Sequence, residues 1–188
     1  MAFTDGVMAV AITLLVLNVD VPRVPRDELD DALSDLIPSL ISYLLAFALV
    51  GRHWIVHHRF FETLRDFDGI LMALNLTFLA LIVLVPFGTE LFDRYTDEPE
   101  AVAVFGAIMG LAALINWTMV VYTLRRGYVH DIHRARTEQW GSAAGLGFTV
   151  LFLGSVPVAF LSPLAATLMW VVTLFLHYPL GTMRARAS

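Results

Sequence analysis

Six apolar stretches divide this sequence, and a chain patterned this way belongs in a lipid bilayer. They run from Gly6 to Val19, about Leu36 to Val56, about Gly69 to Phe87, about Ala101 to Leu124, about Ser142 to Leu161 and about Pro163 to Leu180. Several approach the ~20 residues that a helix needs to cross ~30 Å of hydrocarbon. The alternating pattern of a membrane barrel is absent, and a backbone in lipid must satisfy its own polar groups, so the stretches are expected to be helices. Only 15% of the residues are charged and 58% are hydrophobic, against ~25% charged in a soluble domain. The expected fold class is therefore an all-α membrane protein. It forms a single six-helix domain over 1–188, with helices at about 5–19, 36–56, 69–87, 101–124, 142–161 and 163–180. Ser162-Pro163 alone separates the last two stretches, which predicts a tight helical hairpin.

The charges between the stretches fall into two groups. Asp20, Asp27, Glu28, Asp30, Asp31 and Asp35 outnumber Arg23 and Arg26 after the first stretch, and Glu90, Asp93, Asp97, Glu98 and Glu100 outnumber Arg94 after the third. The opposite side carries Arg59, Arg65, Arg125, Arg126, Arg134, Arg136, Arg184 and Arg186; every basic residue is arginine. The positive-inside rule places those arginines, and with them both termini, in the cytoplasm. The expected location is the plasma membrane, with the acidic loops outside. These loops can concentrate cations over a screening length of ~8 Å, or serve solubility alone. The basic segment from Arg125 to Arg136 is expected to rest on anionic headgroups of the lipid bilayer, and no nucleic-acid partner is expected. A cleaved secretory signal is not expected at the start. No basic residue precedes the first stretch, Asp5 stands where one would belong, and no small-residue cleavage site follows.

The first stretch is unusual. Its 14 residues span about 21 Å at ~1.5 Å per residue, short of the hydrocarbon thickness. Asp5 stands at its mouth, where an acid is costly without a protein or water partner. Such a segment is better shielded by other helices. Val10, Leu14 and Leu17 share one face by i, i+4 and i+7 spacing, with Thr13 about 60° from Val10 at ~100° per residue. Several copies about a symmetry axis would form apolar rings that gate by dewetting, and a ring of hydroxyls that replaces part of an ion's hydration shell. The same stripe also suits plain packing, with Thr13 bonded to its own backbone one turn back.

Other constellations carry less chemistry. His53 and His57 stand i, i+4 with His58 adjacent, a spacing compatible with zinc. There is no His-Glu-x-x-His and no cysteine, so a hydrogen-bonded helix end is expected and no metal site. His130 and His133 lie among arginines in a solvated loop. Ser155 lacks the Gly-x-Ser-x-Gly of a nucleophile elbow, and no catalytic residues are expected. Asn116 and Trp117 form a polar spot able to bond between helices.

Three motifs give the chain a family resemblance. Phe3-Thr4-Asp5-Gly6-Val7, running into Ala9-Val10-Ala11-Ile12-Thr13-Leu14-Leu15-Val16-Leu17, resembles the first-helix signature of the transmembrane protein 175 family of potassium channels. Trp54-Ile55-Val56-His57-His58-Arg59 with Phe61 is similar to that family's Trp-x-x-His motif, and Asn75-Leu76 followed by Pro86-Phe87 and Thr89 to its third helix. The resemblance implies a homotetramer with a pore lined by the first helix and no Thr-Val-Gly-Tyr-Gly filter. Carried over by position, it implies pore constrictions at Val10, Leu14 and Leu17. It implies a role in favouring potassium for Thr13. It also implies a motif network of Phe3, Thr4 and Asp5 with Trp54, His57 and Asn75.

The departures are specific. The family carries a basic residue about six residues ahead of the aspartate, a position that falls before Met1 here, so either the start lies further upstream or the basic anchor is absent. Thr4 stands for the usual serine, and Val10 is smaller than the usual isoleucine or leucine. The expected function is a passive potassium leak channel of modest selectivity, not an enzyme, with no cofactor beyond the permeant ion. The rival is a secondary transporter or another polytopic membrane protein. It would show broken helices, inverted repeats or charged midplane residues, and none stands out.

Overall fold

The computed structural model of the chain describes residues 2–142 and 146–175. Among the described residues there are nine α-helices and no strand: α1 (Ala2–Leu14), α2 (Leu29–Asp35), α3 (Ile37–Phe61), α4 (Gly69–Val83), α5 (Val85–Arg94), α6 (Pro99–Arg126), α7 (Asp131–Gly141), α8 (Gly147–Ala159) and α9 (Pro163–Phe175). Residues 143–145 and 176–180 of the last two apolar stretches, and Arg184 and Arg186, lie outside the described residues.

Three helical runs are long and apolar enough to cross a membrane: Ile37–Phe61, Gly69–Arg94 and Pro99–Arg126. Ala2–Asn18, Gly147–Ala159 and Pro163–Phe175 are apolar but shorter. The outer faces are apolar as well. Ile41 and Leu44 of α3, Ile70 and Leu76 of α4, Val150 of α8 and Leu168 of α9 are all exposed, which suits lipid or another subunit and not water.

Residue chemistry sets the helix ends. Asp68 N-caps α4 by accepting the Leu71 N–H at 2.8 Å. Pro38, Pro99 and Pro163 fall in the first turns of α3, α6 and α9, where a missing N–H costs nothing. Gly127 ends α6 at φ 71°, the left-handed conformation that glycine adopts without a Cβ penalty. The third apolar stretch does not end near Pro86. That proline lacks the N–H an unbroken helix would use, so α4 closes at Val83 and α5 restarts at Val85 and runs to Arg94. The charged end of α5 is helical because Arg94 pairs with Glu90, one turn back, at 2.8 Å.

The bundle centres on α6, which packs against α4, α5, α7 and α8. Gly106 and Gly110, spaced as a small-xxx-small pair, let α8 approach closely. A Cβ at Gly110 would stand 2.9 Å from the Leu153 backbone nitrogen, and one at Gly106 would stand 2.7 Å from the Ser155 hydroxyl. The tight turn at Ser162-Pro163 folds α9 back on α8, and the Ser162 hydroxyl accepts the Ala165 N–H at 3.2 Å. Trp170 fills the centre of the bundle against Phe92, Phe105 and Phe152. Its indole N–H donates to Ser155 Oγ at 2.8 Å, and Ser155 donates to the Phe152 carbonyl at 2.7 Å. That serine is fully buried and holds two helices together, a structural role and not a nucleophile's.

The arginine-bearing connections gather at one end of the bundle. The Arg65 N–H donates to the Tyr128 carbonyl at 2.8 Å and the His130 N–H to the Thr63 carbonyl at 2.9 Å. At the same end Asp68 receives the hydroxyls of Tyr122 and Tyr128, and Arg126 lies 3.8 Å away. The Tyr122 hydroxyl foremost, then the Leu71 N–H, Tyr128 and Arg126, hold the Asp68 carboxyl below the usual aspartate range.

Candidate functional site: the first helix and its anchor

The first helix is two-faced. Thr4, Met8, Ala11 and Leu15 are buried against the rest of the chain, following i, i+4 and i+7 steps along one side. The opposite side, including Val10, Thr13, Leu14 and Leu17, is exposed. At Leu15 the helix tightens into a 3-10 turn that ends at Asn18. Counting both parts, it reaches roughly 27 Å at ~1.5 and ~2.0 Å per residue. It therefore reaches farther than its apolar stretch alone, because it begins at Ala2 and takes Phe3, Thr4 and Asp5 into its first turn. The Asn18 amide donates to the Pro86 carbonyl at 2.8 Å, fixing the far end of the helix at the α4–α5 break.

The near end is held by two polar groupings from α3 and α4. One is buried. His57 Nε2 donates to Asn75 Oδ1 at 2.9 Å, and Asn75 Nδ2 donates to Thr4 Oγ1 at 3.0 Å. The imidazole is stacked between Phe61 and Phe78, with ring centroids 4.5 and 4.6 Å away. The other lies nearer the surface. The Trp54 indole N–H donates to Asp5 Oδ1 at 2.9 Å, and His58 Nδ1 lies 3.3 Å from the same oxygen. Asp5 also sits in the first helical turn, where a carboxylate complements the helix dipole.

Thr4, Asp5, Trp54, His57 and Asn75 thus meet, though they come from three helices. Phe3 does not join them: its side chain is 67% exposed on the outer face of α1. His58 is an Asp5 partner that motif reading passed over. Among the described residues no group of three or more potential metal ligands gathers around the i, i+4 histidine pair. His53 instead donates from Nδ1 to the Leu49 carbonyl at 3.0 Å.

Thr13 donates its hydroxyl proton to the Val10 carbonyl at 2.9 Å. Its donor is spent on the backbone, and its oxygen remains an exposed acceptor. Arg52 corrects another expectation, since a charge does stand within a membrane helix. Its guanidinium lies 4.7 Å over the Phe148 ring, and its Nη1 donates to the Leu174 carbonyl at 3.3 Å, so α3 is tied to α8 and α9.

Among the described residues the protein is thus all-helical, with a short two-faced first helix clamped at both ends. The family described as endosomal/lysosomal potassium channel TMEM175 matches residues 1–86. A potassium channel of Streptomyces collinus is 35% identical over 135 residues, 69% of this chain and 66% of that protein. A potassium channel of Chamaesiphon minutus is 40% identical over 103 residues, 53% of this chain and 51% of that protein. The aligned part of the chain therefore spans between about half and two thirds of these relatives. The crystal structure of a lysosomal potassium-selective channel TMEM175 homologue from Chamaesiphon minutus superposes with a TM-score of 0.76 at 28% identity, covering 93% of this chain and 92% of that one. The chain belongs to the TMEM175 family.

Proposed function

We propose that the protein is a passive cation channel, modestly selective for potassium. Four copies surround a central pore lined by α1, and each copy spans the plasma membrane six times with both termini in the cytoplasm. The two-faced first helix carries this reading. Its inner face is used up by the protomer, while Val10, Thr13, Leu14 and Leu17 remain on a face that only lipid or other subunits can cover. A lipid-facing helix has no use for a polar clamp at one end and an asparagine tether at the other. A pore helix needs both, because its position sets the bore.

In this mechanism hydrated cations collect at acid-rimmed outer mouths. Rings of Val10, Leu14 and Leu17 control wetting of the bore, and the Thr13 oxygens replace part of the hydration shell. Potassium, which holds its water less tightly than sodium, loses less by the exchange. The names of the bacterial relatives, potassium channels in Streptomyces collinus and Chamaesiphon minutus, agree with potassium as the permeant ion.

The test is flux from purified protein in liposomes, with potassium or sodium gradients and no other driving force. Uncoupled potassium movement faster than sodium is expected. Saturable exchange that requires a second ion would replace this reading with a transporter. Selectivity is expected to fall in Thr13→Val. Removing the ring of hydroxyl oxygens is expected to lower potassium-over-sodium preference about two- to twelvefold, a difference of roughly 0.5–1.5 kcal/mol between the two ions. A shifted bi-ionic reversal potential reports the loss, and an unshifted one removes Thr13 from the selectivity step.

A further inference from the structure

Behind the clamp lies a second polar site, inside the bundle and away from α1. His53 of α3 and Asn116 of α6 are both more than nine-tenths buried. They line a cavity of about 20 Å³ together with Arg52, Ala113, Trp117 and Phe148. The chemistry of the two side chains is fixed by their other bonds. His53 Nδ1 faces the Leu49 carbonyl at 3.0 Å, and a carbonyl only accepts, so Nδ1 carries a proton and in the neutral ring Nε2 presents a lone pair. The Asn116 Oδ1 is also an acceptor. Among the described residues no donor reaches either atom. Two acceptors therefore line one small cavity whose remaining walls are largely apolar.

We propose that this cavity is a binding site for a single ordered water, which donates one hydrogen to His53 Nε2 and the other to Asn116 Oδ1. Water supplies two donors from one centre, which this pair lacks. The volume exceeds the ~10–15 Å³ that one water requires and is too small for a cluster. The aromatic walls favour the same occupant. The Phe148 ring meets His53 edge-on at 5.5 Å between centroids, so it offers no competing donor. The bridge joins α3 to α6 one helical turn from His57. It therefore braces the helix that grips α1 against the central helix of the bundle, and it does so whether or not the protein conducts ions.

Solid-state NMR on protein with labelled histidine, reconstituted in lipid, reads the site directly; the signals lost in His53→Phe identify the ring. The expected result is a neutral His53 with its proton on Nδ1 and rapid magnetisation transfer from water to the ring. Transfer should be slower at His57, which is sealed between two phenylalanines. A proton on Nε2, or transfer no faster than at His57, overturns the proposal. In Asn116→Leu the water loses one acceptor, so transfer to His53 is expected to drop to the His57 level and Tm to fall by several degrees. Undiminished transfer or a raised Tm would show that no bridge existed. If that variant does not fold, Asn116→Ser keeps an oxygen in an enlarged polar cavity. It is expected to retain the rapid transfer, and its loss would equally overturn the bridge.

Discussion

Replacing Asn75 by leucine is expected to destabilise the protein by about 2–5 kcal/mol, because it strands two buried polar groups at once. The His57 Nε2–H loses the Asn75 acceptor and the Thr4 hydroxyl oxygen loses its donor. His57 cannot turn away to find another partner, since Phe61 and Phe78 hold both faces of its ring. The loss should appear as a Tm lower by about 5 °C or more in detergent, with reduced recovery of the proposed tetramer on gel filtration. Asp5→Ala makes the useful comparison. Its side chain is 37% exposed, so water can satisfy the Trp54 N–H, and a partly exposed contact of this kind is worth ~0–1 kcal/mol. The ranking is the test. The first helix is held mainly by the buried chain through Asn75, with the aspartate cluster adjusting its entry angle. A Tm unchanged in Asn75→Leu, or a larger loss in Asp5→Ala, would reverse that assignment.

What the sequence makes legible here is whatever repeats locally. The apolar runs fall on helical segments of the described residues, and Ser162-Pro163 marks the hairpin, because hydrophobic burial and proline act on the nearest residues. What stays hidden depends on partners far along the chain. Phe3 and Thr4 fall ahead of the helix expected at about 5–19, yet they join Asp5 in the first turn of α1, where Asn75 and Trp54 partner the Thr4 and Asp5 side chains. The helical end of α5 hides for a related reason. Glu90 and Arg94 read as loop charges until they pair one turn apart. Arg52 is overlooked when arginine is treated only as a marker of loops; the Phe148 ring and the Leu174 carbonyl make it tolerable inside. Gly106 and Gly110 give a four-residue spacing but no sign of which helix will come close. Motif resemblance recovers part of this long-range information, since it names Trp54, His57 and Asn75 together, and it passes over His58 and misplaces Phe3.

Leu14→Ala is expected to raise unitary conductance severalfold and to weaken potassium-over-sodium preference. In the proposed ring of four copies the change removes three carbons from each wall at one level of the bore. A wider, less apolar gap wets more easily, and a wetted gap passes ions with more of their hydration intact. Stability should hardly change, because Leu14 is exposed on the protomer and leaves no cavity in its core. Leu15→Ala reverses the pattern. Leu15 is fully buried, so truncation should cost about 2–5 kcal/mol through lost packing while leaving the ionic selectivity of the surviving channels intact. Neighbouring residues of similar size then separate bore from core: one moves conductance without Tm, the other Tm without selectivity. Single-channel recording beside thermal unfolding measures both. If Leu14→Ala leaves the currents untouched, the exposed face of α1 lies against lipid or a neighbouring helix, and the conduction path must be sought on another face of the bundle.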